Sequence, residues 1–335
     1  MTDTMRAVVV DGRSGIALVD KPIPEPGPEQ VLIQVEATGV CGTDLHLIEG
    51  SYPHGRYPVT PGHEFSGIVV AVGSGATRAG DGDHVGVDPN VNCGACRWCR
   101  EGAKNMCTAL DPVGVSIDGS CAEFVVVPES VIYRLPGGID ATVGPLVEPL
   151  SCVVHAVERT PGAWEGASVA VYGAGSIGLL AVAVARLLGA GTITVVEPHE
   201  VRRQLALTIG ADAASDGSGP IREVDIAVEA SGHPAAIANA SRDLGIHGRL
   251  VQMGVANPDV EVGLNPYAVF AKELSIIGSN SLAGAYPAAV EMMPALADRV
   301  RPIVTDIFSL EDYAQAVEAA RSPHSVKVQV RPAAH

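Results

Sequence analysis

Residues 168–178 read SVAVYGAGSIG, and the helical stretch LLAVAVARLLGA follows directly. Val169, Ala170, Val171 and Tyr172 have strand character and run into Gly173, Gly175 and Gly178. Strand, glycine-rich turn and helix buried nearly all round form the phosphate-binding corner of a dinucleotide fold. Gly173 allows the tight turn, Gly175 lets the backbone approach a pyrophosphate, and Gly178 lets helix and strand pack closely. The helix N-terminus, with Ser176 and Ile177 at its head, then faces the anion. Alone, such a motif is weak and could be only a tight turn. A second strand, TITVVE, ends at Glu197, where an acidic group meets the adenosine ribose hydroxyls, and this favours the cofactor.

A dinucleotide domain that begins near residue 150 leaves about half of a 335-residue chain to do something else, and that length accommodates two cores. Residues 6–37 alternate apolar and polar positions around the proline-rich KPIPEPGPEQ, so they read as strands joined by a rigid loop. SCAEFVVVPES and VIYRLP read as further strands of this first domain, and Gly144–Val157 as the connection out of it. Beyond residue 168 the βα alternation continues through HEVRRQLALTIG, VDIAVEASG, PAAIANASRDLG, GRLVQMG and ELSIIGS. One unit is abnormal: only GSGPIRE separates Asp216 from Val224, too short for a helical crossover. The third strand is therefore expected to be rudimentary, or its link to cross the sheet as bare loop. A helix is expected from Tyr286, with FSLEDYAQAVEAARS as a capped helix and SVKVQV as a closing strand.

The formal charge of −16 argues against a nucleic-acid or anionic-membrane partner, since both require a basic face. No apolar run approaches the roughly 20 residues of a membrane span. The first residues, MTDTMRAVVV, lack a basic segment followed by an apolar one, so a cytoplasmic protein is expected. Four of the seven cysteines fall within residues 93–107. In such a chain, Cys93, Cys96, Cys99 and Cys107 suit a closed tetrahedral zinc that stabilises structure, with an iron–sulfur cluster as the competing reading. Cys41 and His63 are two ligands of the kind that hold a catalytic zinc with an open fourth position, and Glu64 and Glu148 are candidates for the third. His54, His199, His233, His247 and His324 sit beside turn residues and read as solvated.

Cys41, the run Gly62-His63-Glu64-x-x-Gly67, the Asp83-His84-Val85 segment, the cysteine cluster and the glycine-rich turn, in this order, resemble the zinc-containing medium-chain alcohol dehydrogenases. The resemblance covers essentially the whole chain. It implies an α/β protein with a GroES-like, mainly-β catalytic domain (residues 1–150 and 285–335). Into this is inserted a Rossmann domain, a doubly wound parallel sheet (residues 151–284). Glu148 stands where the plain alcohol dehydrogenases carry a cysteine ligand, which resembles the sorbitol, or polyol, branch. There, Glu64 is able to bind zinc directly, so both glutamates belong to the site.

The activity so implied is hydride transfer between a nicotinamide cofactor and a secondary alcohol, giving the ketone. Thr43 would hydrogen-bond the substrate oxygen, and the proton would leave through Thr43, the nicotinamide ribose and His46. Two zinc ions per chain are expected. NAD is expected over NADP because Glu197 would repel a 2′-phosphate, although Arg202 or Arg203 could swing toward one. A polyol or cyclitol is the expected substrate, with L-threonine or a simple secondary alcohol as alternatives. The segment GSNSLAGAY lacks the arginine with which sorbitol dehydrogenases help to hold the sugar alcohol. A non-catalytic dinucleotide-binding protein and a zinc-free quinone reductase are the readings from other classes, and Cys41, His63, Thr43 and His46 argue against both. A homodimer or homotetramer is expected, since ELSIIGS would leave an open sheet edge.

Overall fold

The computed structural model describes residues 4–219, 221 and 223–332. The chain divides into two compact units. One runs to Glu148 and takes up Tyr286–Ala297 and the chain from Val304 onward, and the other comprises Pro149–Ala285 and Asp298–Ile303.

The first unit is built on a sheet in which the long strand Gln30–Val40 is shared by three neighbours. Glu64–Val72 runs antiparallel along one side of it. On the other side Phe124–Pro128 covers its first half, and Lys327–Arg331 pairs with its last residues, Thr38–Val40. His84–Val87 and Ile132–Arg134 extend the sheet beyond Glu64–Val72, while Val304–Ser309 adds a parallel edge beyond Lys327–Arg331. The alternating apolar residues of these strands make the core: Val31, Ile33, Val35, Phe65, Val69, Val85 and Val127 are buried together. At the C-terminal end the expected helix begins later than its sequence suggests. Phe308 and Ser309 close the edge strand, and the helix is Tyr313–Arg321. Asp312, at its N-cap position, makes no side-chain capping bond to the helix backbone; its carboxylate accepts from Ser309 Oγ and Gln315 Nε2 instead.

The second unit carries a six-stranded sheet in the order Ala213–Ser215, Thr192–Val196, Ser168–Tyr172, Val224–Glu229, Leu244–Gln252 and Ser275–Gly278. Every pairing in it is parallel. The strand order reverses at Ser168–Tyr172, whose carboxyl end is therefore the switch point where open α/β sheets bind ligands. As its sequence suggests, the third strand is rudimentary, only three residues long, and lies at the sheet edge. No helix spans the link from it to Val224 among the described residues; Pro220 and Arg222 of that link lie outside them. Ile221 packs onto the cluster formed by Ala170, Tyr172, Val224, Ala227, Ala240, Leu244 and Leu250. A helix the sequence reading did not anticipate, Pro266–Lys272, precedes the last strand, with Asn265 Oδ1 accepting from the amides of Tyr267 and Ala268.

The glycine-rich turn shows why it needs glycine. Gly173 has φ +98°, in the left-handed region that a side chain disfavours. A Cβ on Gly178 would lie 1.9 Å from the carbonyl oxygen of Gly173, so helix Ser176–Leu187 could not sit this close to the strand. Gly178→Ala is expected to cost about 2 kcal/mol or more, the scale of overpacking against rigid backbone. Urea denaturation measures the loss, and an unchanged midpoint would contradict this packing.

Candidate metal and cofactor sites

In the first unit, the helix Gly42–Ile48 starts immediately after Cys41. Asp44, 1% exposed, reaches back so that its Oδ2 accepts from the Cys41 amide at 2.8 Å, while Oδ1 accepts from the Gly62 amide at 3.3 Å. The same Oδ1 lies 3.5 Å from His63 Nδ1. One carboxylate thus ties together the two segments that supply Cys41 and His63, and its position beside Nδ1 leaves Nε2 as the ring nitrogen for a metal. Gly62 permits the tight passage, with φ +99° and with Ser120 Oγ and the Cys121 amide nitrogen 2.7 and 2.8 Å from where a Cβ would stand. The ligand atoms of Cys41, His63 and Glu64 lie within 4.8 Å of one another, a soft thiolate, an imidazole and a carboxylate that fit zinc with one position left open.

Glu64 is held from below. It opens the strand Glu64–Val72 opposite Gly39, and a Cβ on Gly39 would stand 2.1 Å from Glu64 Oε2. That glycine leaves room for the Glu64 carboxylate, to which Lys327 Nζ donates at 2.6 Å (Oε2) and 2.9 Å (Oε1), with a third bond to the Val40 carbonyl at 3.3 Å. Both side chains are 3% exposed. Burial disfavours the Lys327 ammonium, but Glu64, Cys41 and Glu148 together outweigh burial and the lysine pKa rises. A carboxylate has about four acceptor positions, so Glu64 can keep this ion pair and still offer an oxygen to a metal.

Glu148 lies in the first turn of helix Val147–Glu158 and is 7% exposed. Burial, and then the charge of Glu64, pushes its carboxyl from 4.5 up to about 8 in the metal-free chain. His63 shows the opposite balance. Burial alone would keep the ring neutral, yet Asp44 and Cys41 carry its pKa well upward. Thr43 and His46 sit on the same short helix as Asp44, with His46 exposed and its Nδ1 3.3 Å from Ser51 Oγ.

Cys93, Cys96, Cys99 and Cys107 converge as a second group. Their closest Sγ separations are 3.4 Å (Cys93 to Cys107), 3.5 Å (Cys96 to Cys99) and 4.0 Å (Cys93 to Cys99). A tetrahedron with Zn–S bonds of about 2.3 Å has S···S edges of about 3.8 Å, so the spacing fits zinc and excludes disulfides. Backbone amides of Cys93, Cys96 and Ala109 point at sulfur, which favours thiolate. The Cys96 thiol is lowered to about 6, chiefly by the backbone bonds at Cys99 and Thr108.

In the second unit the turn Gly173, Gly175, Ser176, Ile177, Gly178 heads a twelve-residue helix, and no atom stands within 4 Å of where a Gly175 Cβ would be. That open space, bounded by backbone amides, fits an incoming pyrophosphate. Glu197 follows the strand Thr192–Val196 and is 4% exposed. Its Oε2 accepts from the Ala174 amide at 2.9 Å, and its Oε1 from the His199 amide at 3.0 Å. Burial would raise this carboxyl, but those amides, the His199 ring and Arg202 together hold it below the usual value. The His199 side chain is 49% exposed, in keeping with a solvated histidine, and its Nδ1 also lies 2.7 Å from Glu197 Oε1. Asp44, Lys327 and His199 are the polar residues of these sites that sequence reasoning did not single out.

Residues 27–137 match the alcohol dehydrogenase GroES-like domain family, and residues 141–331 match the glucose dehydrogenase C-terminus family. The sorbitol dehydrogenase of Halalkalibacterium halodurans is 34% identical, aligned over 96% of this chain and 97% of its own. The L-threonine 3-dehydrogenase of Caldanaerobacter subterraneus subsp. tengcongensis is 33% identical over 99% of this chain and 100% of its own. A solved structure, a zinc-binding dehydrogenase from Sinorhizobium meliloti 1021 bound to NADP, matches with a TM-score of 0.93 at 34% identity, covering 98% of this chain and 100% of that one. The chain belongs to the zinc-containing medium-chain alcohol dehydrogenases, in their polyol branch, with the α/β architecture of a GroES-like domain and a Rossmann-type parallel sheet.

Two predictions arise from the buried charges. Lys327→Met leaves Glu64 buried without its partner and is expected to destabilise the fold by about 3–5 kcal/mol, whereas the double variant Glu64→Gln, Lys327→Met recovers a large part of that loss. Chemical denaturation of the three proteins checks this. For Glu148, the folded metal-free chain retains between pH 4.5 and about 8 a proton that the unfolded chain has released, so stability falls as pH rises through that window. Glu148→Gln removes this component, and its urea midpoint is expected to change less than that of the parent between about pH 5 and pH 8.

Proposed function

We propose that this oxidoreductase converts one secondary hydroxyl of a polyol or cyclitol to the ketone, reversibly, using NAD. The observation that supports this best is the pair of buried glutamates beside Cys41 and His63. Cys41, His63 and Glu64 hold the catalytic zinc, and Glu148 completes the wall of the site. When bound, zinc lowers the pKa of an alcohol hydroxyl toward neutrality and the nicotinamide accepts the hydride, while the protein supplies position and charge. The Thr43 hydroxyl would hydrogen-bond the substrate oxygen and relay its proton, giving up its own as it takes the substrate's, and exposed His46, with Ser51 beside it, would release a proton to water at the end of that relay. Glu148 accepts a hydrogen bond from a neighbouring substrate hydroxyl, the kind of contact by which a site rejects analogues lacking that group. Cys93, Cys96, Cys99 and Cys107 hold a second, structural zinc.

Gly173, Gly175, Ser176, Ile177 and Gly178 cradle the pyrophosphate, and Glu197 with nearby Arg202 addresses the adenosine ribose. NAD is favoured over NADP because Glu197 is fixed and anionic. L-Threonine is the second substrate reading, supported by the threonine dehydrogenase relative. The Ser275–Gly278 strand forms an edge of the second unit's sheet, with Ile276 46% exposed, and pairing along it would give a homodimer or a homotetramer of such dimers. Seven cysteines, none of them in a disulfide, suit the reducing cytoplasm.

A screen of NADH formation across polyols, inositols, simple secondary alcohols and L-threonine, with zinc content measured on the same sample, tests the reading. Two zinc ions per chain and efficient turnover of vicinal diols are expected, with Glu148→Ala raising KM for a polyol more than for 2-propanol. Turnover of ethanol but of no vicinal diol would overturn the role given to Glu148.

A further inference from the structure

We infer that His199 is a positioning residue that sets the choice between NAD and NADP by locking Glu197. The inference rests on the reading of the Gly173–Gly178 turn as the cofactor site. His199 occupies the N-cap position of helix Glu200–Ile209, where Ser, Thr, Asp or Asn would ordinarily accept a hydrogen bond from the first turn. Its ring makes no such bond and is turned back onto the preceding strand end, with Nδ1 2.7 Å from Glu197 Oε1. The contact is therefore not a by-product of helix capping.

A carboxylate can only accept, so the His199 nitrogen that faces it carries the proton, and in the neutral ring Nε2 is left as an acceptor. The His199 amide occupies a second position on Oε1 at 3.0 Å, and the Ala174 amide occupies one on Oε2 at 2.9 Å. Among the bonds described, these take three of the about four acceptor positions on Glu197, and Oε2 is the less occupied oxygen, on which a single ribose hydroxyl would fit. With both oxygens tethered, the carboxylate cannot rotate away from an approaching 2′-phosphate, and at contact distance the two like charges repel strongly in a site of low dielectric. Arg203 is tied down beside this carboxylate, its Nη1 donating to the carbonyl oxygens of Glu197 and Pro198 at 2.8 and 2.6 Å. The half-exposed His199 ring thus adds a second acceptor beside the first. Two acceptors suit a pair of ribose hydroxyls and reject a phosphate.

The test is titration calorimetry of NAD and of NADP against the zinc-loaded parent, His199→Ala and His199→Asn, with thermal melts of the same proteins without cofactor. The parent is expected to bind NAD at least about tenfold more tightly than NADP. In His199→Ala, NAD affinity is expected to fall about tenfold, the scale of one hydrogen bond to a charged group, while NADP affinity changes less, so the preference collapses. His199→Asn, which keeps an N–H donor on a short side chain, should restore part of the preference. A His199→Ala protein that weakens both cofactors equally, or neither, overturns the inference, and equal weakening with a lowered melting temperature identifies the contact as merely structural. Failure of the parent to bind either dinucleotide overturns the cofactor-site reading itself, which the parent titration alone decides.

Discussion

Asp44, Glu64 and Glu148 are 1%, 2% and 7% exposed, and with the Cys41 thiol they form a buried, acid-rich cluster. Facing them are His63 and Lys327. Burying charge without a partner is so costly that such a cluster survives only if each member is matched by a cation, an amide or a proton. Lys327 matches Glu64, the amides of Cys41 and Gly62 match Asp44, and Glu148 keeps its proton to about pH 8. The donor set fits a divalent cation. A positive ion there would favour the ionised forms of Cys41 and Glu148, so metal affinity is coupled to the protonation of the site.

The sheet determines how that balance is reached. Glu64 lies opposite Gly39, and Gly39 in turn lies opposite Gln329 on the neighbouring strand. The missing side chain at Gly39 leaves room for the Glu64 carboxylate, which the Lys327 ammonium meets from the last strand of the chain, 263 residues later. The long separation in sequence makes the metal region depend on completion of the whole first unit, C-terminal strand included. A chain interrupted before Lys327 would retain the zinc ligands and lose the cation that holds Glu64.

Legibility in the sequence followed how local each physical constraint is. The glycine-rich turn was readable because close backbone approach leaves glycine as the residue that fits, and the four-cysteine loop because its ligands lie within fifteen residues. Lys327 was not readable. In SVKVQV the alternation puts Lys327 and Gln329 on one face and Val328 and Val330 on the other, which reads as one wet face and one dry; in the fold both faces are buried, with Lys327 2% and Gln329 0% exposed. Asp44 lay three residues after Cys41, a capping-box spacing that could have marked it. His199 looked like a turn residue because nothing in PHEVRR tells whether the ring turns outward or back to Glu197. The rudimentary third strand was foreseeable because a short link cannot hold a crossover helix, whereas helix Pro266–Lys272 is short and largely exposed, with Tyr267 75% and Phe270 80% accessible, so no amphipathic pattern announced it.

The two sites handle charge by opposite means. The metal region concentrates ionised side chains and depends on each finding its counterpart, whereas the cofactor turn presents backbone amides and a helix N-terminus, whose partial positive charge is fixed by geometry. This difference reconciles a formal charge of −16 with an anionic ligand. Charges spread over the surface are screened over about 8 Å at physiological salt, while amides at the turn act at contact distance and in a fixed direction. Selectivity among anionic cofactors can then be imposed by one carboxylate at the edge of the turn, since recognition of the shared pyrophosphate does not depend on it. On the reading proposed here Glu197 would discriminate without being needed for the bulk of the binding, and the residues that immobilise it would share in that discrimination.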